Sequence, residues 1–175
     1  KMCKEKREEL SITSGTLVPP LNFKKLTKSG PQTKENLLAY KDWLFSLKIL
    51  DPACGSGAFL NQALEYLIKE HKQLQNDLAQ MGDLFSSYTV EESVLEHNLY
   101  GVDINEDAVE IAKLSLWLRT ASKGRCLTNL NDKIICANSL LEMPFEENSF
   151  DVVIGNPPYV RVQGLKSNYE DESKL

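Results

Sequence analysis

Hydrophobic positions along the chain fall into two patterns, short continuous runs and longer segments with helical spacing. The continuous runs predict four buried strands, within residues 48–50, 99–105, 133–140 and 149–159. A helical stripe follows each of the first two runs, and a further helix is predicted over 33–47 with Thr33 as its cap. Strands that alternate with helices predict a parallel α/β sheet, in which the carboxyl ends of the strands share one edge.

The segments outside this core are more polar. Residues 1–47 form a lead-in, with a polar helix predicted over 4–10 and a Pro-rich loop over 11–31. Residues 70–96 are expected to be a helical insertion outside the sheet, solvated and without a role. Residues 163–175 are charged and are expected to be poorly ordered or to pack on a missing part, as in a piece of a longer protein.

Composition and charge disfavour several kinds of function for this chain. The chain has 175 residues, of which 42% are hydrophobic, and its net charge is −5. We expect no secretory signal, because the first residues are charged and not apolar, and no membrane span, because no apolar run approaches roughly 18 residues. An acidic chain is also a poor match for a self-sufficient DNA-binding surface. If the protein acts on nucleic acid, most contacts to the nucleic-acid backbone would therefore be made by another part of the protein.

Cysteines and histidines give no sign of a metal site. The four cysteines lack Cys-x-x-Cys spacing, which argues against zinc and disulfides and fits a reducing cytoplasm. His71 and His97 have no ligand neighbour at useful spacing and are interpreted as ordinary surface or helix residues. We therefore expect no metal.

A glycine-rich loop, residues 51–57, connects the first strand to its helix. Gly55 and Gly57 can adopt positive φ, and without Cβ atoms they let a ligand approach the backbone. Asp51, at the carboxyl end of the strand, would point into the same crevice. A tight turn without a ligand explains the loop equally well when it is taken alone.

Three further polar positions follow the other strands. Asp103 ends the second strand, where an acid accepts hydrogen bonds from ribose hydroxyls, but it could equally be a helix-capping or loop acid, and Asn105 is predicted to cap the next helix. Asn138 ends the third strand and is equally a common turn residue. The fourth strand runs into residues 156–159, Asn-Pro-Pro-Tyr, which form a stiff loop with exposed carbonyl oxygens, an amide and an aromatic face, or a rigid surface turn.

Two nucleotide-binding motifs are absent from the loops, and their absence narrows the class of ligand. The third glycine of the dinucleotide fingerprint is missing, which disfavours an NAD-dependent oxidoreductase, and no Gly-Lys-Ser/Thr is present for a P-loop. A nucleoside-bearing ligand without an essential pyrophosphate remains, and S-adenosylmethionine fits this description.

The pairing of residues 51–59 with Asn-Pro-Pro-Tyr about a hundred residues later resembles the N6-adenine branch of the amino-methylating DNA methyltransferases. Many of those belong to restriction–modification systems, including fused type II enzymes. The resemblance covers residues 48–162 and implies a Rossmann-like S-adenosylmethionine-dependent fold, of which the first four of about seven strands are readable. It further implies double-stranded DNA as the partner, through a target-recognition domain beyond the chain, a bacterial or archaeal cytoplasm, and room for a nuclease in the parent protein.

The same resemblance implies roles for individual residues. The cofactor would contact Asp51, Pro52, Ala53, Gly55, Gly57, Phe59, Asp103, Ile104, Asn138 and Ser139. Among these, Phe59 would lie near the methyl group, Ile104 against the adenine ring, and Asn138 at the adenine edge, where many relatives carry Asp. The catalytic loop would be Asn156, Pro157, Pro158 and Tyr159.

That loop suits the chemistry of an exocyclic amine, whose lone pair is delocalised into the ring. The Asn156 side-chain oxygen and the Pro157 carbonyl would accept its two N–H bonds and favour a pyramidal nitrogen, without a strong base. Tyr159 would stack on a flipped base. Two alternatives stay open: a glutamine methyltransferase of release factors, which shares Asn-Pro-Pro-Tyr, and a non-catalytic cofactor-binding fragment.

Overall fold

The computed structural model describes residues 1–10, 12, 29–82, 88–121 and 127–157. Within these ranges the chain forms five helices and four strands. In chain order they are α1 (Met2–Glu9), α2 (Ser29–Ser46), β1 (Ile49–Asp51), α3 (Ala58–Gln80), α4 (Val90–His97), β2 (Leu99–Asp103), α5 (Glu106–Thr120), β3 (Ile134–Cys136) and β4 (Val152–Val153). The predicted alternation of strands and helices is confirmed.

The four strands form one parallel sheet in the order β3-β2-β1-β4. Ile49 of β1 lies between Leu99 of β2 and Val152 of β4. The chain therefore runs outward from β1 to β3 and then returns to the opposite side of β1. This reversal creates a topological switch point between β1 and β4, which is where open parallel sheets bind ligands.

The helix α3 organises the core on one side of the sheet. Its buried stripe has heptad-like spacing, and α2, α4 and α5 all pack against it. The fully buried leucines of this stripe are Leu60, Leu64, Leu67, Leu74 and Leu78. Burying a leucine stabilises a fold by about 1.5–3 kcal/mol, so α3 holds the loop at its N-terminus on a rigid support.

The second half of α3 corrects an expectation. Residues 70–80 continue the same helix and are not a solvated extension, because they bury His71, Leu74 and Leu78. His71 is fully buried, with Nδ1 2.6 Å from the Tyr88 hydroxyl, and burial lowers its pKa to about 4. His97 is exposed, as expected of a surface residue.

The N-terminal helices also differ in detail from their predictions. The helix α2 begins at Ser29, so Thr33 lies inside it and is not its N-cap. The polar helix α1 is anchored by Arg7, which is only 5% exposed. Its guanidinium pairs with Glu70 at 3.2 Å and lies 4.7 Å from the ring centre of Tyr40.

Neither a membrane-spanning helix nor a metal-binding cluster occurs among the described residues. Across the part of the chain that the structure describes, no helix combines the length and apolar character needed to cross a bilayer. The same residues contain no group of three or more His, Cys, Asp or Glu side chains arranged to hold a metal ion.

Candidate active site

The glycine-rich loop forms a tight turn between β1 and α3. Gly55 has φ +50° and Gly57 has φ +84°, a left-handed region that favours glycine. The Gly57 N–H donates to the Cys54 carbonyl at 2.8 Å and closes the turn. Gly57 then serves as the N-cap of α3. The positive φ predicted for both glycines is confirmed, and a Cβ at Gly55 would meet no atom within 4 Å.

Asp103 joins the end of β2 to this loop. Its Oδ2 accepts a hydrogen bond from the Gly55 N–H at 2.7 Å, and its Oδ1 accepts one from the Asn105 N–H at 3.0 Å. Asn105 in turn caps α5, because its side chain accepts from the Ala108 N–H at 3.1 Å. The capping role proposed from the sequence thus belongs to Asn105, and Asp103 is held where it meets the glycine loop.

Asp51 is the most unusual group at this edge. Its carboxyl group is fully buried, and Oδ1 accepts from the Ala53 N–H at 3.1 Å. Oδ2 is buried without a hydrogen-bond partner among the described residues. Burial raises the pKa of Asp51, the Ala53 N–H lowers it by less, and the negative charge of Asp103 raises it further. An unsatisfied carboxylate oxygen beside a second carboxylate suits a cationic or N–H-bearing ligand.

The loop after β4 approaches Asp51 from the other side of the switch point. The Ile154 N–H donates to the Leu50 carbonyl at 2.8 Å, which aligns the two strand ends. A Cβ built on Gly155 would lie only 2.7 Å from Asp51 Oδ1 and 3.5 Å from Pro52 Cδ. Glycine is therefore the residue that lets this loop rest on the Asp51 carboxylate.

This contact brings the predicted catalytic loop to the predicted cofactor loop. Asn156 and Pro157 directly follow Gly155 and are exposed. Pro158 and Tyr159 lie outside the described residues, so their predicted roles stay predictions.

The remaining predicted cofactor-binding residues are exposed or partly buried. Ile104 and Phe59 are large apolar side chains that are 70% and 45% exposed. Asn138 lies beside Asp103, because the Ala137 N–H donates to the Asp103 carbonyl at 3.0 Å. The Asn138 side chain accepts from the Leu140 N–H at 3.1 Å. Ser139 follows in the same turn and is partly buried.

Two contributors to the site, Gly155 and Asn61, were not predicted from the sequence. Gly155 was not singled out, although a glycine at the end of a strand signals a close backbone approach. Asn61 donates through Nδ2 to the Gly57 carbonyl and to Ser115 Oγ, both at 2.8 Å. A signal for Asn61 was available, because a polar residue four positions after Gly57 lies on the same face of the helix.

Cys54 occupies the middle of the loop but offers no nucleophile. Its side chain is buried, and burial raises the pKa of the thiol to about 12. The thiol therefore stays protonated near neutral pH and acts as a small apolar group in the turn. The polar groups that remain at this edge are the carboxylates, the glycine backbone and the Asn-Pro loop.

Comparison with known proteins adds names to this geometry. Residues 97–175 match the model of the family described as Eco57I restriction-modification methylase. A candidate type II restriction enzyme and methyltransferase of Methanocaldococcus jannaschii is 39% identical over 119 residues, which is 63% of this chain and 10% of that protein. DNA methyltransferase A of Bacillus subtilis (strain 168) is 32% identical over 184 residues, 91% of this chain and 20% of that protein.

A third relative is named for its specificity. Adenine-specific methyltransferase BrxX of Escherichia coli O9:H4 (strain HS) is 31% identical over 83 residues, 46% of this chain and 6% of that protein. The chain thus spans a fifth or less of each of these relatives. Over residues 97–175 the chain thus matches the Eco57I restriction-modification methylase family, and its parallel α/β sheet agrees with the Rossmann-like methyltransferase fold that such a match implies.

Proposed function

We propose that the protein transfers a methyl group from S-adenosylmethionine to the exocyclic N6 amine of adenine in DNA, as part of a restriction–modification system. The observation that carries this proposal is the contact between Gly155 and Asp51. Because the Asn-Pro loop directly follows Gly155, this contact with the buried carboxylate supports one crevice that would serve both a cofactor and an acceptor base.

The residues present fit the cofactor. Asp51 Oδ2 is a buried oxygen that needs a donor, and the methionine ammonium could supply one. Asp103 would accept from the ribose hydroxyls while the Gly55 N–H holds it in place. Ile104, Phe59 and the other predicted residues would complete the binding surface. When bound, S-adenosylmethionine supplies an electrophilic methyl group on a sulfonium sulfur.

Asn156 and the Pro157 carbonyl would orient the acceptor amine. An amide oxygen and a carbonyl oxygen can accept the two N–H bonds of the adenine amine and direct its lone pair toward the methyl group. Proline holds φ near −65°, so Pro157 stiffens the loop. Neither group is a strong base, and the proton would leave to solvent after transfer. The Pro158 and Tyr159 roles, closing the loop and stacking on a flipped base, belong to the same proposal.

The whole protein would bind its site through parts other than this chain. Residues 48–162 would be the N-terminal part of a catalytic domain, preceded by the lead-in over 1–47 and followed by the tail over 163–175. Double-stranded DNA in a bacterial or archaeal cytoplasm would be the substrate, read by a separate target-recognition domain. The name of the Methanocaldococcus relative supports a linked nuclease function in the full-length protein, and the name of BrxX supports adenine as the target.

The test is transfer of tritiated methyl groups from S-adenosylmethionine by the full-length protein. We expect label on adenine in unmethylated bacterial DNA, with a loss of about 100-fold or more in Asn156→Ala because one of two acceptors for the amine is removed. Asn76→Ala, an exposed asparagine on α3, is the matched control and should methylate normally. Label on a release factor and none on DNA would overturn the proposal in favour of a glutamine methyltransferase.

A further inference from the structure

A polar pair between α3 and α5 lies directly behind the glycine loop. Asn61 is 7% exposed, and apart from His71 the other buried residues of α3 are leucines. Its Nδ2 donates to the Gly57 carbonyl and to Ser115 Oγ, each at 2.8 Å. Ser115 Oγ also lies 3.5 Å from the Ser56 carbonyl. Two helices are thereby tied to the last residues of the loop.

The Gly57 carbonyl accepts twice from the same residue. The Asn61 main-chain N–H donates to it at 2.9 Å, in addition to the side-chain bond. A trans peptide holds its N–H opposite to its C=O, so directing the Gly57 carbonyl into the helix directs the Ala58 N–H out of the helix N-terminus. The Asn61 side chain therefore adds a second hydrogen bond to the helical one that orients this peptide unit.

The packing around Gly57 is tight. A Cβ on Gly57 would lie 3.1 Å from Ala112 Cβ, so α3 and α5 approach each other closely at this glycine. Asn61 Oδ1 is buried and has no hydrogen-bond partner among the described residues. An unsatisfied buried oxygen is unfavourable to stability. A purely structural role would be filled better by an apolar residue.

We infer that Asn61, held by Ser115, is a positioning residue for the amino-acid end of the cofactor. The inference rests on the proposed function and deepens it. Asp103 and Ile104 serve the nucleoside end at β2, whereas the Gly57–Ala58 peptide lies at the start of α3, where N–H groups favour a negatively charged group such as the methionine carboxylate. Loss of Asn61 should therefore weaken ligands that carry the amino acid and spare those that lack it.

Two probes separate the ends of the site. S-adenosylhomocysteine carries the amino acid, and 5′-methylthioadenosine retains the nucleoside and sulfur without it. Isothermal titration of the full-length protein would give the Kd of each. In Asn61→Ala we expect affinity for S-adenosylhomocysteine to fall about tenfold, the effect of one hydrogen bond of about 1.4 kcal/mol. Affinity for 5′-methylthioadenosine should change less than about twofold.

Ser115→Ala is the second variant and remains decisive if Asn61→Ala does not fold. It removes the Ser115 acceptor but leaves the bond to Gly57, so a smaller, about threefold loss is expected, again confined to S-adenosylhomocysteine. Gln62→Ala, at the next and exposed position of α3, should bind both probes normally.

The outcomes distinguish this inference from the proposed function. Equal weakening of both probes in both variants, or no weakening at all, would overturn the positioning role while leaving methyl transfer intact. If the unaltered protein binds neither probe, the cofactor assignment itself fails, and the role of Asn61 fails with it.

Discussion

Replacing Gly155 with alanine tests whether the contact between the two loops sets the reaction geometry. The new Cβ would lie 2.7 Å from Asp51 Oδ1, where ordinary contact begins at 3.4 Å. Gly155 does not have a positive φ, so backbone strain contributes nothing. The structure must therefore open by the difference, 3.4 − 2.7 = 0.7 Å.

The size of the expected rate loss depends on whether Asp51 or the Asn-Pro loop moves to relieve this overlap. Asp51 is fully buried and tied to the Ala53 N–H, whereas Asn156 and Pro157 are exposed. The Asn-Pro loop should therefore move away from the crevice. A misplacement near 1 Å reduces a positioned reaction by about 100-fold, so we expect a 10- to 100-fold slower methyl transfer, with roughly 1–3 kcal/mol of overpacking. Affinity for the cofactor should change little.

Single-turnover methyl transfer by the full-length protein measures this rate directly, and thermal unfolding measures the stability loss. Gly82→Ala is the matched control, because φ is +81° there and a Cβ would meet no atom within 4 Å. This control should lose about 1–2 kcal/mol from left-handed strain without a slower reaction. A transfer rate in Gly155→Ala within about twofold of the unaltered protein would refute the reasoning.

Two buried titratable groups predict opposite pH effects. Burial raises the pKa of Asp51 above its ordinary 3.8, so stability from this group is present below that pH and lost as pH rises through the raised pKa. The Tm of Asp51→Asn minus the Tm of the unaltered protein, both without cofactor, should therefore increase as pH rises from about 4 to 7. A Tm difference that stays constant over this range would contradict the prediction. Burial lowers the pKa of His71 to about 4 from 6.5, so stability is lost as pH falls through that window. In urea unfolding, His71→Gln should remove up to about 3 kcal/mol of this pH-dependent loss in the free energy of unfolding. The same pH dependence in the variant and the unaltered protein would exclude a role for His71.

Local patterns were sufficient to predict the elements at the ligand-binding edge. Each apolar run became a strand of the parallel sheet, and Asp103 ends β2 because the run stops at a charged residue. Asn105 caps α5, as its side chain and acidic followers indicate. These features depend on residues within one turn or one strand of each other, where periodicity and capping chemistry are informative.

Features that depend on neighbours in space were not predicted. His71 continues the stripe of Leu67, Leu74 and Leu78, but intervening polar residues made residues 70–80 read as solvated. Burial there requires α2 and α4 to pack against α3 and Tyr88 to meet the His71 ring. A sequence pattern gives the face of a helix, whereas the partner that covers it comes from tertiary packing.

Strand order explains why the site divides into two separable halves. The proposed cofactor half joins β1 and β2 through the Gly55–Asp103 bond, and the Asn61–Ser115 pair ties it to α3 and α5. The proposed catalytic half is carried by β4, which pairs with β1 through two residues and reaches the first half at Gly155. Changes at Asn61 should accordingly affect cofactor affinity, and changes at Gly155 should affect the transfer rate. If the proposed function holds, the switch point between β1 and β4 is where binding and chemistry meet, and where each should respond to its own set of substitutions.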